Sequence, residues 1–222
     1  MEMDKVKLVK YIDHTQLKPF ATFDDIKKLC DEAIKYGFYL VMVAPIYVKF
    51  VKEYLADKGK DIKVGTVVGF PLGYSHTSIK VKETLKAIED GADEIDMVMN
   101  ISYFKSKKYN LVLEDIKEVV NASQGKIVKV IVETCYLTVE EKYNVAKLVL
   151  ESGAHFIKTS TGFGKEGAKI EDVKIFKQVV GDKIGIKAAG GIRTLKQMLD
   201  FIKAGANRIG TSSSVKIIEE IE

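Results

Sequence analysis

A (β/α)8 barrel, one domain over residues 1–222, is the fold class that the sequence predicts, and three observations predict it. Eight short β-branched runs recur at intervals of roughly 30 residues. Between them lie stretches whose apolar residues return every three to four positions, as amphipathic helices require. A Gly-Ala entry motif also precedes several of the runs without gaps. Strand and helix alternating in this way read as βα units with parallel strands. The chain sits near the short end of the ~200–400 residues such barrels occupy.

In chain order, the first run is Tyr11–Asp13, followed by a helix over Asp24–Tyr36. Tyr39–Val43 and Val64–Val68 are the second and third runs, and the next helical stretch is Ile79–Glu89. Glu94–Val98 leads to a helix over Leu111–Asn121, and Val128–Val132 to one over Val139–Leu150. Thr138, with Glu141 three residues on, is a capping-box pattern for that last helix. Phe156–Lys158, Gly185–Ala188 and Arg208–Thr211 complete the set.

Gly91-Ala92-Asp93-Glu94-Ile95, Gly153-Ala154-His155-Phe156-Ile157 and Gly205-Ala206-Asn207-Arg208-Ile209 align directly, and Gly37-Phe38-Tyr39-Leu40 is a looser copy. The glycine suits the left-handed residue that ends a helix. The residue after the aliphatic position is Asp96, Lys158 or Gly210 in the three close copies, and is taken as Val41 in the fourth. These four are expected to share one inward layer, with Gly210 leaving space and Lys187 beside Lys158 at a staggered height.

Composition narrows the function classes. The net charge is +4 and is spread along the chain, and the only arginines are Arg193 and Arg208, which argues against a nucleic-acid partner. No apolar stretch has the length of a membrane span, and Met-Glu-Met-Asp-Lys carries no apolar leader. Cys30 and Cys135 suggest a reducing cytoplasm. With His76 and His155 they show no ligand spacing, so no metal is expected.

Two lysines sit where lysines are expensive. Lys158 and Lys187 each interrupt an apolar run. Desolvation drives a buried lysine toward neutrality, and a neutral amine attacks carbonyl carbon. Lowering a lysine from ~10.4 to ~7 takes roughly 4.6 kcal/mol. A second ammonium ~5 Å away supplies roughly 3.3 kcal/mol at an effective dielectric of ~20. Repulsion from Lys187 is therefore expected to lead, with Asp96 closer to Lys187 than to Lys158. Gly190-Gly191 and Gly210-Thr211-Ser212-Ser213-Ser214 follow the seventh and eighth runs, where this fold commonly holds a phosphate through backbone N–H groups. Asp13 and His14 either touch substrate or cap the next segment. Thr159, Ser160 and Thr161 follow Lys158, and alternation is expected to aim some of their hydroxyls at the pocket. Glu133 is expected to pair with a neighbouring cation, and Met42, Met97 and Met99 to lie in the core. A larger-donor Schiff-base aldolase, a phosphosugar-binding barrel and a flavin-dependent barrel are the rival readings; the last two leave the interior lysines unexplained.

Tyr11-Ile-Asp-His-Thr-Gln-Leu-Lys-Pro19, Gly91-Ala-Asp-Glu-Ile-Asp96, Lys158-Thr-Ser-Thr-Gly-Phe163, Lys187-Ala-Ala-Gly-Gly-Ile-Arg-Thr194 and Gly210-Thr-Ser-Ser-Ser214 together resemble the deoxyribose-phosphate aldolase family over nearly the whole chain. The resemblance implies a class I aldolase needing neither metal nor cofactor. Such an enzyme interconverts 2-deoxy-D-ribose 5-phosphate with acetaldehyde and D-glyceraldehyde 3-phosphate, as a cytoplasmic dimer or tetramer. It further implies that Lys158 forms the Schiff base and that Asp96 and Lys187 move protons. Gly190, Gly191, Ser212 and Ser213, with Thr161 and Asp13, are expected to bind the substrate and its phosphate. The chain departs from some members at Phe163, where they carry a lysine (Lys165 is two residues on), and at Met42, where several carry cysteine. It also lacks the tyrosine-ended tail that some members use in proton transfer.

Overall fold

The computed structural model describes residues 5–221, so the reading of the first four residues as no leader lies outside it. Eight strands close into a barrel in chain order, every neighbouring pair parallel. They are β1 (Ile12–Gln16), β2 (Leu40–Val43), β3 (Lys63–Val68), β4 (Glu94–Val98), β5 (Ile127–Ile131), β6 (Phe156–Lys158), β7 (Gly185–Ala189) and β8 (Arg208–Thr211). The helices are α1 (Lys5–Leu8), α2 (Phe23–Tyr36), α3 (Val48–Leu55), α4 (Thr77–Glu89), α5 (Ile101–Lys105), α6 (Tyr109–Ala122), α7 (Val139–Glu151), α8 (Ile170–Val180), α9 (Leu195–Ala204) and α10 (Ser214–Glu219).

Local chemistry accounts for the helix boundaries. Thr22 and Asp25 form a reciprocal capping box at the start of α2, and Thr138 and Glu141 form the expected one at α7. Gly37, at φ 71°, adopts the left-handed conformation that ends α2. Only β1 differs by more than two residues from its expected span. It runs on to Gln16 because its ladder with β2 continues through Gln16 opposite Val43.

The strands divide the interior into two layers. Their outward residues, among them Val41, Ile95, Val128, Ile157, Ile186 and Ile209, are buried in one cluster with helix residues such as Ile26, Val51, Ile116, Val145, Phe176 and Met198. This corrects the expected place of Val41. Counted from the turn glycine, the fourth residue is Val41, Ile95, Ile157 or Ile209, and all four pack outward. The fifth is Met42, Asp96, Lys158 or Gly210, so Met42 is the true counterpart of Asp96 on β2. Side chains alternate along a strand, so taking Leu40 as the aliphatic position shifted that register by one. Inside the barrel, Leu40, Met42 and Val67 form a small apolar cluster on the β2–β3 side.

Outside the barrel, α4 and α6 share a buried ion pair. Lys80 Nζ donates to Asp115 Oδ2 at 2.6 Å and to the Val98 carbonyl at 2.9 Å. One cation meets one anion there, and it gives a reference for a structural buried pair.

Candidate active site

Inward positions on six of the strands are charged, and their side chains meet in one network. Asp96 of β4 is its centre. Its Oδ1 accepts from Lys129 of β5 at 2.6 Å, and its Oδ2 accepts from Lys158 of β6 at 2.8 Å and Lys187 of β7 at 2.7 Å. Lys129 also pairs with Glu94 at 2.7 Å, and Lys187 with Asp13 of β1 at 2.5 Å. Arg208 of β8 donates to Asp13 and to Glu94 and lies over the Tyr39 ring, 3.9 Å from its centroid. All of the charged groups are buried, and Tyr39 is half-buried.

The formal charges explain which group gives way. Asp13, Glu94 and Asp96 supply three negative charges; Lys129, Lys187 and Arg208 supply three positive ones. Lys158 is the surplus cation. An unmatched buried charge costs several kcal/mol, so the surplus is removed most easily as a proton. The Lys158 ammonium is accordingly pushed down to about 8 by burial first, with Lys187 repulsion assisting and Asp96 opposing. Burial would raise the Asp96 carboxyl, but the three lysines outweigh it and hold the group well below the carboxylate range. Asp13 is held at about 2, with Lys187, Arg208 and Lys129 together overcoming burial.

Two expectations about this cluster are corrected. Burial, rather than repulsion from Lys187, is the largest influence on Lys158. Asp96 is shared almost equally between the two lysines instead of favouring Lys187, because both nitrogens contact the same oxygen. Gly210 does leave the expected space: a Cβ there would lie 3.0 Å from Lys187 Cε and 3.0 Å from Ala189 Cβ.

Lys158 is the last residue of β6, and its amine opens into a cavity of about 420 Å³. Gly190, Gly191, Ser212, Ser213 and Thr161 all line this cavity, together with Thr15, Lys18, Phe20, Phe163 and Arg193. Gly190 and Gly191 have φ 92° and 79°, a left-handed conformation that suits glycine. The Gly190 carbonyl accepts from Ala168 N at 3.0 Å, fixing the loop after β6 against the loop after β7. Asp96 and Lys187 lie beneath the floor and meet the cavity through Lys158. Asp13, expected to bind substrate, is not among the residues that line the cavity. The fully buried Asp13 carboxylate is held by Lys187 and Arg208, because alternation points it into the barrel. Lys165 does not line the cavity either; it sits over the Tyr136 ring at 6.0 Å.

Glu133 follows β5 with φ 51°, and it accepts from the Thr161 N–H at 3.2 Å and from the Thr161 hydroxyl. It bonds a hydroxyl and an amide, and the cation that acts on it is Lys158; burial outweighs these and pushes its carboxyl up. The bond fixes Thr161 at the cavity wall. Phe163 packs edge-on against Phe70 with centroids 5.3 Å apart.

Lys129, Glu94 and Arg208 are the interior groups that sequence reasoning missed. Lys129 had the same signal as Lys158, since Val128-Lys129-Val130 interrupts an apolar run in the same way. Glu94 and Arg208 stand two residues before Asp96 and Gly210, and so on the same face. A buried amine lowered to about 8 at the base of a cavity, with polar loops opposite, is equipped to form an imine with an anionic carbonyl compound.

Comparison with known proteins agrees with this geometry. The chain is 58% identical over 219 residues to the deoxyribose-phosphate aldolase of Thermococcus kodakarensis, covering 98% of each chain. It is 57% identical to that of Aciduliprofundum boonei, covering 99% of each. The tetrameric deoxyribose phosphate aldolase structure from Aeropyrum pernix superposes with a TM-score of 0.91 at 31% identity, over 98% of this chain and 92% of that one. A family model described as DeoC/LacD family aldolase matches residues 7–219, nearly the full run of strands and loops that carries the lysine network. The barrel, its interior lysines and this match lead to one conclusion: the chain belongs to the DeoC/LacD family of aldolases.

Proposed function

We propose that the chain, one aldolase domain over residues 1–222, reversibly cleaves 2-deoxy-D-ribose 5-phosphate to acetaldehyde and D-glyceraldehyde 3-phosphate, with Lys158 as the Schiff-base residue. The observation that carries this reading is the Lys158 amine, the one surplus cation of the interior network, lowered to about 8 at the base of the cavity. Neutral Lys158 adds to C1 of the open-chain sugar, and loss of water gives a protonated imine. The C3 hydroxyl gives up its proton and the C2–C3 bond breaks. Its electron pair moves toward the imine nitrogen, forming an enamine and releasing glyceraldehyde 3-phosphate. Protonation at C2 and hydrolysis then release acetaldehyde and restore the amine.

Asp96 and Lys187 serve as the proton relay behind Lys158, a role supported by their contacts of 2.8 and 2.7 Å through one carboxylate oxygen. Gly190, Gly191, Ser212 and Ser213, with Thr161 beside them, hold the phosphate and set the carbonyl at the amine, an orientation effect. The partners are thus a phosphorylated aldose and a short aldehyde, and no cofactor takes part. A second copy of the chain is a further partner, as dimer or tetramer, in keeping with the tetrameric Aeropyrum pernix relative. Among the described residues no helix is long and apolar enough to cross a membrane, and the free thiols of Cys30 and Cys135 suit a cytoplasmic location.

Borohydride reduction in the presence of acetaldehyde, followed by peptide mapping, tests the assignment. A two-carbon adduct on Lys158, lost in Lys158→Met, is the expected result. An adduct on Lys187 or Lys129 instead would overturn it.

A further inference from the structure

His14 is buried on β1 yet belongs to neither the ionic network nor the cavity wall. Its ring joins two polar groups on different elements. Nδ1 lies 2.9 Å from the Ser214 hydroxyl, and Nε2 lies 2.9 Å from Glu32 Oε2 on α2. The Phe38 ring packs against it with centroids 4.9 Å apart. Ser214 is wholly buried and follows Ser212 and Ser213 directly, and its hydroxyl oxygen also lies 3.2 Å from the Thr211 carbonyl.

Thr211 is the junction of the two loops at the far end of the cavity. Its hydroxyl donates to the Ile192 carbonyl, in the loop after β7, at 2.7 Å. The same oxygen accepts from the Ser213 N–H, in the loop after β8, at 2.9 Å. Across the β1–β8 ladder, the Cα of His14 is the partner of Thr211. A continuous chain of polar contacts therefore runs from Glu32 through His14 and Ser214 to Thr211, and from there into both loops.

We propose that His14 is a positioning residue for phosphate binding: through Ser214 and Thr211 it fixes the Ser212–Ser213 and Gly190–Gly191 loops in the shape that receives the substrate's anionic end. The proposal rests on the phosphosugar reading above. A ring that merely tied α2 to the barrel would affect every substrate alike. One that shapes the two loops affects only substrates carrying the phosphate, because the reacting carbonyl is held at Lys158.

The test compares His14→Leu, Ser214→Ala and His14→Asn with the unmodified enzyme on 2-deoxyribose 5-phosphate and on unphosphorylated 2-deoxyribose, with inorganic phosphate as competitive inhibitor. His14→Leu and Ser214→Ala are each expected to raise KM for the phosphorylated sugar, and Ki for phosphate, about ten-fold. With 2-deoxyribose, kcat/KM is expected to stay within about two-fold. The amide of His14→Asn overlays Nδ1, so this variant is expected to regain most of the lost phosphate affinity. Combining His14→Leu with Ser214→Ala is expected to be no worse than either alone, since both break the same chain. Equal losses on both sugars, or unchanged phosphate affinity, would overturn the proposal. If His14→Leu does not fold, Ser214→Ala, which removes a single oxygen, decides the matter by the same criteria. An unmodified enzyme with no preference for the phosphorylated sugar defeats the phosphosugar reading itself; a preference left intact in the variants defeats only the role of His14.

Discussion

Lys158 shows how one residue's function appears in the stability of the whole protein. Its amine titrates at 10.5 in its ordinary state and at about 8 in the folded protein. Between those values the unfolded chain holds more protons, so stability rises with pH across the window. Below about 8 the fold bears the full cost of the buried ammonium, about 3 kcal/mol. Lys158→Met carries no such proton. It is expected to be more stable than the unmodified protein by about that amount at pH 6.5, with the difference shrinking toward pH 10.5; urea unfolding at pH 6.5 and 9.5 checks this. Lys187→Leu removes a repelling cation and leaves Asp96 attracting Lys158 more strongly. The acid limb of the pH–rate profile is therefore expected to move upward from about 8, and an unmoved limb would remove Lys187 from the account. Sequence made Lys158, Lys187 and Asp96 legible because each charge interrupts an apolar run. It did not reveal that burial outweighs repulsion, since depth below the cavity floor is a property of the closed barrel.

At the scale of the element, the close fit of β7 against β8 has a direct test. Gly210→Ala would place a methyl 3.0 Å from Lys187 Cε and from Ala189 Cβ, so these neighbours must give by a few tenths of an ångström beside the contact of Lys187 with Asp96. We expect a fall in kcat of about three-fold, with little change in melting temperature; steady-state kinetics beside a thermal melt separates the two. Thr138→Ala should behave in the opposite way. It removes the α7 capping box on the protein's exterior, so about 1 kcal/mol of stability is lost and kcat is unchanged. The elements were largely legible from periodicity, and β4, β6 and β8 match their expected spans. Register on β2 was not, because Leu40, Val41, Met42 and Val43 are all apolar. Alternation of burial carries no signature in such a run, whereas the charged partners on β4 and β6 made the same period visible.

Over the whole molecule, the barrel interior divides into an ionic side spanning β4 through β8 and β1 and an apolar side built on β2 and β3. Arg208 ties the deep end of the ionic side together. Arg208→Met is expected to destabilise the fold by about 3–5 kcal/mol, as breaking a buried network does, by leaving Asp13 and Glu94 short of a partner. Denaturant unfolding measures it, and a loss below about 1 kcal/mol would mean that Lys129 and Lys187 suffice alone. The even match of three anions to three cations also bears on the steps after the amine attacks. Once the nitrogen becomes part of a protonated imine, the network again carries one more positive charge than it has anions. Electron flow from the breaking carbon–carbon bond quenches that charge and returns the interior to neutrality. The scaffold that draws the resting nucleophile toward neutrality thus also makes its first covalent adduct an electron sink.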